Sequence, residues 1–256
     1  MQNKIIINAD DFGLNEHCSK AIAQAFSENL ISSTTAIANG DYLEEAYALS
    51  VKHGFNDKVG VHLNLIEGTP LTDGIKTDAF FCERGVFHGH VNRLKKPSKE
   101  NLKHLKEELT AQIQRVKDVG FTISHADSHN HIHTCVFLEK AIKEVLFSFG
   151  IKKIRLHRNF GNIKLHKKIV KSLYNAKLHR QGFTTTEKMG SFDDLEKYSC
   201  VAKKWLTEIM VHPDFDKNGN LVEIVDWDEN GAIAFRPLSD IKEYVKDLTL
   251  ISYADL

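Results

Sequence analysis

Carboxylates and imidazoles collect at four places in this 256-residue chain, each where an apolar, strand-like run comes to an end. Asp10 and Asp11 follow the run Lys4–Asn8; His62 and Asn64 stand near the end of Lys58–Leu65. A third group, His125, Asp127, His129, His131 and His133, closes a strand-like run, and His212 follows Glu208–Val211 just ahead of Pro213 and Asp214. These are the residue types that bind divalent cations and move protons. Neighbouring carboxylates at a strand end point in different directions, so one can ligate a cation while the other takes a proton from water. An aspartate at this place also caps helices well, although a helix starting near Leu14 needs only one.

The histidine run admits more than one reading. Were the chain extended throughout, His125, Asp127, His129, His131 and His133 would share one face. Three alternate positions rarely all bind one ion, and a three-ligand site leaves a coordination position open for water. The other polar residues of the run would then orient the ligating rings or touch a substrate. Taken alone, His62 within an apolar strand is a satisfied core histidine; in company with Asp11 and His129 it becomes a candidate ligand. At His212, Pro213 suffices to end a strand, and a proton-donating imidazole stands beside that reading.

Alternating elements must position these residues. Lys4–Asn8, Ser32–Ala38, Lys58–Leu65, Phe121–His125, Lys153–Leu156, Leu206–His212 and Thr249–Ser252 read as strands. Asn15–Asn29, Tyr42–His53, Ser98–Val119, Cys135–Phe149, Ile163–Arg180, Phe192–Lys203 and Ser239–Asp247 read as helices. Ser98–Val119 carries the clearest stripe, Leu102, Leu105, Leu109, Ile113 and Val116, with Ser98 and Asn101 as caps and Gly120 as its stop. Residues from about 67 to 97 show weak periodicity and several glycines, the pattern of a long loop or lid. The sustained βαβα order predicts an α/β protein with about seven parallel strands, open or closed into a (β/α) barrel with one irregular quadrant. A single domain over residues 1–256 is expected, with its active residues at the C-terminal strand ends.

Composition narrows the field. Thirty-four basic residues balance thirty-four acidic ones, so neither nucleic acid nor a membrane surface is an expected partner. The four cysteines have no paired spacing, which argues against a disulfide framework or thiolate site and fits a reducing cytoplasm. The start MQNKIIINADDFG lacks a secretory apolar stretch, and no run approaches a membrane span, so a soluble cytoplasmic chain is expected. Dinucleotide, P-loop, serine-hydrolase and HExxH signatures are absent from the sequence.

The chain resembles the YdjC-like carbohydrate deacetylases, which include chito-oligosaccharide deacetylases. The resemblance rests on NADDFGLNEHCSKAI, ISSTTAIANG, VGVHLNL with EGTPL, HADSHNHIH, IRLHRN and EIMVHPDFD, in that order over most of the chain. It implies a deformed (β/α) barrel related to polysaccharide deacetylases, acting on an acetylated amino sugar or oligosaccharide, and a homodimer. It also implies one divalent ion, Mg2+ or Zn2+, held by Asp11, His62 and His129, with Asp10 as general base and His212 as general acid. Asp127, His125, Asn64 and Arg155 would orient those groups or contact the sugar. Around 67–97 members vary, and His88, His90, Asn92 and Arg93 would face sugar or solvent. Two rivals remain: a two-ion phosphoesterase or amidohydrolase, suggested by His131 and His133, and a sugar-binding protein without turnover.

Overall fold

The structure is a computed structural model that describes residues 3–227 and 233–256. Strands and helices alternate from the start: β1 (Lys4–Phe12), α1 (Glu16–Ser27), β2 (Ser33–Ile37), α2 (Leu43–Lys52) and β3 (Val59–Leu63). There follow α3 (Asp73–Lys76), the hairpin β4 (Cys82–Glu83) and β5 (Val86–Phe87), α4 (Lys99–Val119), β6 (Ala126–Ser128), α5 (Glu139–Ser148) and α6 (Leu165–Arg180). The remainder comprises β7 (Lys188–Ser191), α7 (Phe192–Ala202), β8 (Thr207–Val211), β9 (Pro213–Phe215), β10 (Leu221–Trp227), β11 (Ile233–Pro237), α8 (Ile241–Val245) and β12 (Thr249–Leu250).

A curled parallel sheet runs in the order β6, β3, β2, β1, β8, β7, and β12 pairs with the beginning of β1. An irregular segment links the β6 edge to the chain just ahead of β7: Arg155 N donates to the Ala126 carbonyl, and Ile154 N donates to the Thr184 carbonyl. Strand alternation sorts the side chains. Ile5, Ile7 and Ala9 of β1, Val59, Val61 and Leu63 of β3, and Ile209 and Val211 of β8 enter the apolar core beneath the helices. The intervening Asn8, Asp10, His62 and Glu208 therefore face the barrel interior, where Asp127 and Arg155 meet them. Gly60 makes room there for His125, since a Cβ on Gly60 would lie 2.5 Å from the His125 Nδ1.

α4 forms as its sequence predicts. Ser98 and Asn101 close a reciprocal capping box, and Leu105, Leu109, Ile113 and Val116 are buried, with Leu102 half-buried. The segment 67–97 is not a featureless loop. Buried Ile75, Phe81, Phe87 and Val91 anchor it, and Glu108 of α4 accepts hydrogen bonds from the Leu71 and Thr72 amides.

Several expected elements are displaced. The strand expected at Phe121–His125 begins only at Ala126, although Ser124 N and the His125 carbonyl already bond to β3. Lys153–Leu156 makes isolated bridges instead of a full strand. α5 starts at Glu139, not Cys135, and Ser239–Asp247 contains the end of a 3-10 turn followed by the short α8. β7 and the antiparallel sheet β9–β10–β11 had no counterpart among the expected elements. Among the described residues, no helix is long and apolar enough to cross a membrane.

Candidate active site

The register of β1 against β2 shifts between Ala9 and Phe12, and Asp11 lies at φ 70. Regular pleating would send Asp10 and Asp11 to opposite faces. The irregularity brings both to one cavity of about 630 Å³ at the C-terminal end of the sheet. A left-handed non-glycine residue costs on the order of 1–2 kcal/mol, which the surrounding contacts must offset. Capping does not explain either aspartate: Asn15 caps α1, its side chain accepting from Cys18 N at 3.0 Å.

Asp11 Oδ1 lies 3.1 Å from His62 Nε2 and 2.8 Å from His129 Nδ1. One donor atom from each of these three residues falls within 4.8 Å of the others. A carboxylate and two imidazoles so converged, with an open cavity beside them, fit a divalent cation that keeps water in its remaining positions. His62 is almost fully buried, and its other nitrogen, Nδ1, sits 2.7 Å from Asp127 Oδ1. Burial resists a charge on His62, yet Asp127 and Asp11 hold its pKa well above the usual imidazole range. Burial likewise opposes ionisation of Asp11, but the two imidazoles keep it well below the carboxylate range.

The rest of the histidine run does not share this face, because the strand ends at Ser128. Residues His129–Thr134 form a 3-10 turn in which Asn130 and His131 are left-handed, at φ 49 and 53. His131 is thereby sent to a neighbouring cavity of about 370 Å³, lined also by Arg93, His157, Arg158 and Lys171. His133 is buried and hydrogen-bonded through Nδ1 to Ser128. Among the described residues, neither joins a group of potential cation ligands. His125 stacks on Tyr253 at 3.9 Å and bonds to Asn8, and burial beside Arg155 keeps it neutral. It is absent from the wall of the large cavity, so sugar contact is not its part.

Arg155 is the hub beneath the cavity. Fully buried, it bonds both oxygens of Asp10 at 2.7 and 2.6 Å, Asp127 Oδ2 at 2.7 Å and Glu208 Oε1 at 2.7 Å. Glu208 accepts in turn from the Tyr253 hydroxyl. Arg155 therefore positions carboxylates and has no face open to substrate. Burial would raise the Asp10 pKa, but this guanidinium, with His62 and His212 nearby, holds it far below the carboxylate range. Glu208 differs: burial wins, and its pKa is raised.

His212 follows β8, the strand paired with β1, and lines the cavity together with Asp10 and Asp11. Glu223 of β10 accepts from the His212 backbone N at 2.6 Å and places Oε1 3.8 Å from Nδ1. Burial disfavours the imidazolium, but Glu223, Asp10 and Asp11 together push its pKa up to about 9. Asn64 does not reach the cavity. Its side chain accepts from the Ile66 and Glu67 amides and donates to the Glu67 carbonyl, fixing the turn after β3. Glu208, Glu223 and Tyr253 escaped the sequence reading. A lone carboxylate inside the apolar run TEIMV and another inside LVEIV were the available signals; Tyr253 offered none.

A curled parallel sheet flanked by helices, with a carboxylate–imidazole cluster at its C-terminal rim, places the chain in the class of α/β barrel-like proteins with a cluster that could hold a cation. Within that class the comparison is specific: the YdjC-like protein family matches residues 4–242, and the chain belongs to it. A carbohydrate deacetylase of Thermoanaerobacter pseudethanolicus is 27% identical over 259 residues, covering 96% of each chain. One from Listeria monocytogenes serotype 4b is 27% identical over 215 residues, 83% of this chain and 82% of the relative. One from Xenopus laevis is 30% identical over 162 residues, 62% of this chain and 52% of its own. A solved Enterococcus faecalis V583 chain named for cellobiose-phosphate cleavage superimposes with a TM-score of 0.72 at 20% identity, over 100% of this chain and 99% of that one, a likeness of fold.

Proposed function

We propose that the protein is a cytoplasmic, metal-dependent hydrolase of one domain that removes N-acetyl groups from amino sugars or short oligosaccharides, such as diacetylchitobiose, and releases acetate. The observation that carries this reading is the convergence of Asp11, His62 and His129 in the cavity that also holds Asp10 and His212. The names of the relatives supply the substrate class.

Asp11, His62 and His129 would hold the ion, and either Mg2+ or Zn2+ suits one carboxylate, two imidazoles and open positions for water. The bound ion would polarise the acetamide carbonyl and lower the pKa of its water. Asp10, kept ionised and immobile by Arg155, accepts the proton of the attacking water. His212, kept protonated beside Glu223, donates to the amide nitrogen, which cannot leave as an amine anion. Asp127 fixes the His62 ring from behind. A two-ion alternative would use Asp10, His62 and Asp127, but Arg155 already occupies both of those carboxylates.

Acetate release from N,N′-diacetylchitobiose tests the reading, measured before and after EDTA treatment and after metal add-back. Release that is lost with EDTA and restored by Mg2+ or Zn2+ is expected. No release with any metal, alongside turnover of phosphoesters, would overturn it.

A further inference from the structure

The two imidazoles of the cation site are supported unequally. Behind His62 stands Asp127, wholly buried and 2.7 Å from Nδ1. Behind His129, whose Nδ1 faces Asp11, the nitrogen on the far side of the ring, Nε2, lies 3.4 Å from Glu67 Oε1. Glu67 belongs to none of the four strand-end groups. It sits on the turn after β3, with its side chain 45% exposed, and it lines the same cavity as Asp10, Asp11 and His212.

That turn is built with care for so exposed a residue. Asn64 Oδ1 accepts from Glu67 N at 3.3 Å, while Asn64 Nδ2 and Asn39 Nδ2 donate to the Glu67 carbonyl at 2.8 and 3.0 Å. Asn64 Nδ2 also donates to Asn39 Oδ1, so the two amides act as one brace. Gly68 follows at φ 76, a left-handed conformation that suits glycine and ends the turn directly after Glu67. Backbone fixed on both sides of one residue aims its carboxylate at His129.

We propose that Glu67 is a positioning residue for the cation site: it accepts the Nε2 proton of His129 and so keeps Nδ1 free to ligate. Ligating imidazoles are generally held by a carboxylate or carbonyl on the far nitrogen, and loss of that partner typically costs about 10–100-fold in metal affinity. Asp127 serves His62 from the sealed interior; Glu67 serves His129 from the cavity wall. The grip on the ion is thus tied to a turn whose Glu67 lines the cavity. This inference rests on the cation site proposed above.

Co2+ titration of the metal-free, full-length protein, followed by visible absorption, tests it without recourse to turnover. Glu67→Gln should weaken Co2+ binding by about tenfold or more, with the melting temperature of the metal-free protein unchanged and kcat recovered at excess metal. Glu83→Gln, an exposed carboxylate on the β4–β5 hairpin, should bind as wild type. Wild-type affinity in Glu67→Gln, with binding lost in His129→Ala, would overturn the role of Glu67 alone. Wild-type affinity in His129→Ala as well would overturn the cation site itself.

Discussion

The barrel interior and its C-terminal rim use the same residue types to opposite ends. Inside, Arg155, Asp127, Glu208, His125 and Tyr253 are buried and every one is hydrogen-bonded to another polar side chain. At the rim, Asp11, His129, His212 and Glu67 are partly exposed and border a cavity. Charges sealed from water must be paired, because desolvation is costly and incomplete pairing leaves that cost uncompensated. Charges at the rim keep free lone pairs or protons, which is what chemistry requires. Asp10 belongs to both regions: Arg155 grips it from below and the cavity reaches it from above.

Substitutions can break or sharpen this division. The largest effect is expected at the bridge. Asp10→Asn should lower kcat by about 10²–10⁴ while sugar binding, measured by calorimetry, persists; unchanged turnover would remove Asp10 from the chemistry and return it to the interior. Next comes Arg155→Met, which leaves three buried carboxylates without their cation and should cost about 3–5 kcal/mol in urea unfolding. Wild-type stability there would dissolve the distinction between the two regions.

The smallest effect is a displacement of pH dependence at the rim. His212 donates only when protonated, so turnover should decline on the alkaline side as pH rises through its pKa of about 9. Glu223→Gln should move that limb toward the ordinary 6.5, seen in the pH profile of kcat/KM. The same raised pKa means that the proton on His212 stabilises the fold fully below 6.5, and that this contribution is lost between 6.5 and about 9.

Legibility in the sequence followed locality. β1, β2, β3 and α4 could be read because a buried parallel strand or an amphipathic helix writes its period into a few consecutive residues. The alternation in KVGVHLNL even separated the core-facing valines from the inward His62. The four strand-end groups could be located because so many carboxylates and imidazoles at the ends of apolar strands exceed what packing needs, while the choice of Asp11, His62 and His129 among them came from the family resemblance. The φ of Asp11 and the left-handed turn at Asn130 and His131 were not legible, since both are imposed by tertiary contacts. Nor was the antiparallel sheet that delivers Glu223, although LVEIV offered the signal of a lone carboxylate in an apolar run. Lys153–Leu156 has strand-like residues but falls at the seam of the barrel, where only isolated bridges form.

The placement of β1 also dictates an order of assembly. Its neighbours β8 and β12 lie some 200 and more residues further along the chain, at Thr207–Val211 and Thr249–Leu250. During synthesis, β1 leaves the ribosome long before either partner exists, and one of its edges stays unpaired throughout. An apolar strand with an open edge invites wrong partners. Tyr253, which closes the interior against Glu208 and His125, arrives later still. The cavity draws its wall from residues as far apart in the chain as Asp10 and Val225, so it cannot be complete until most of the chain has been made.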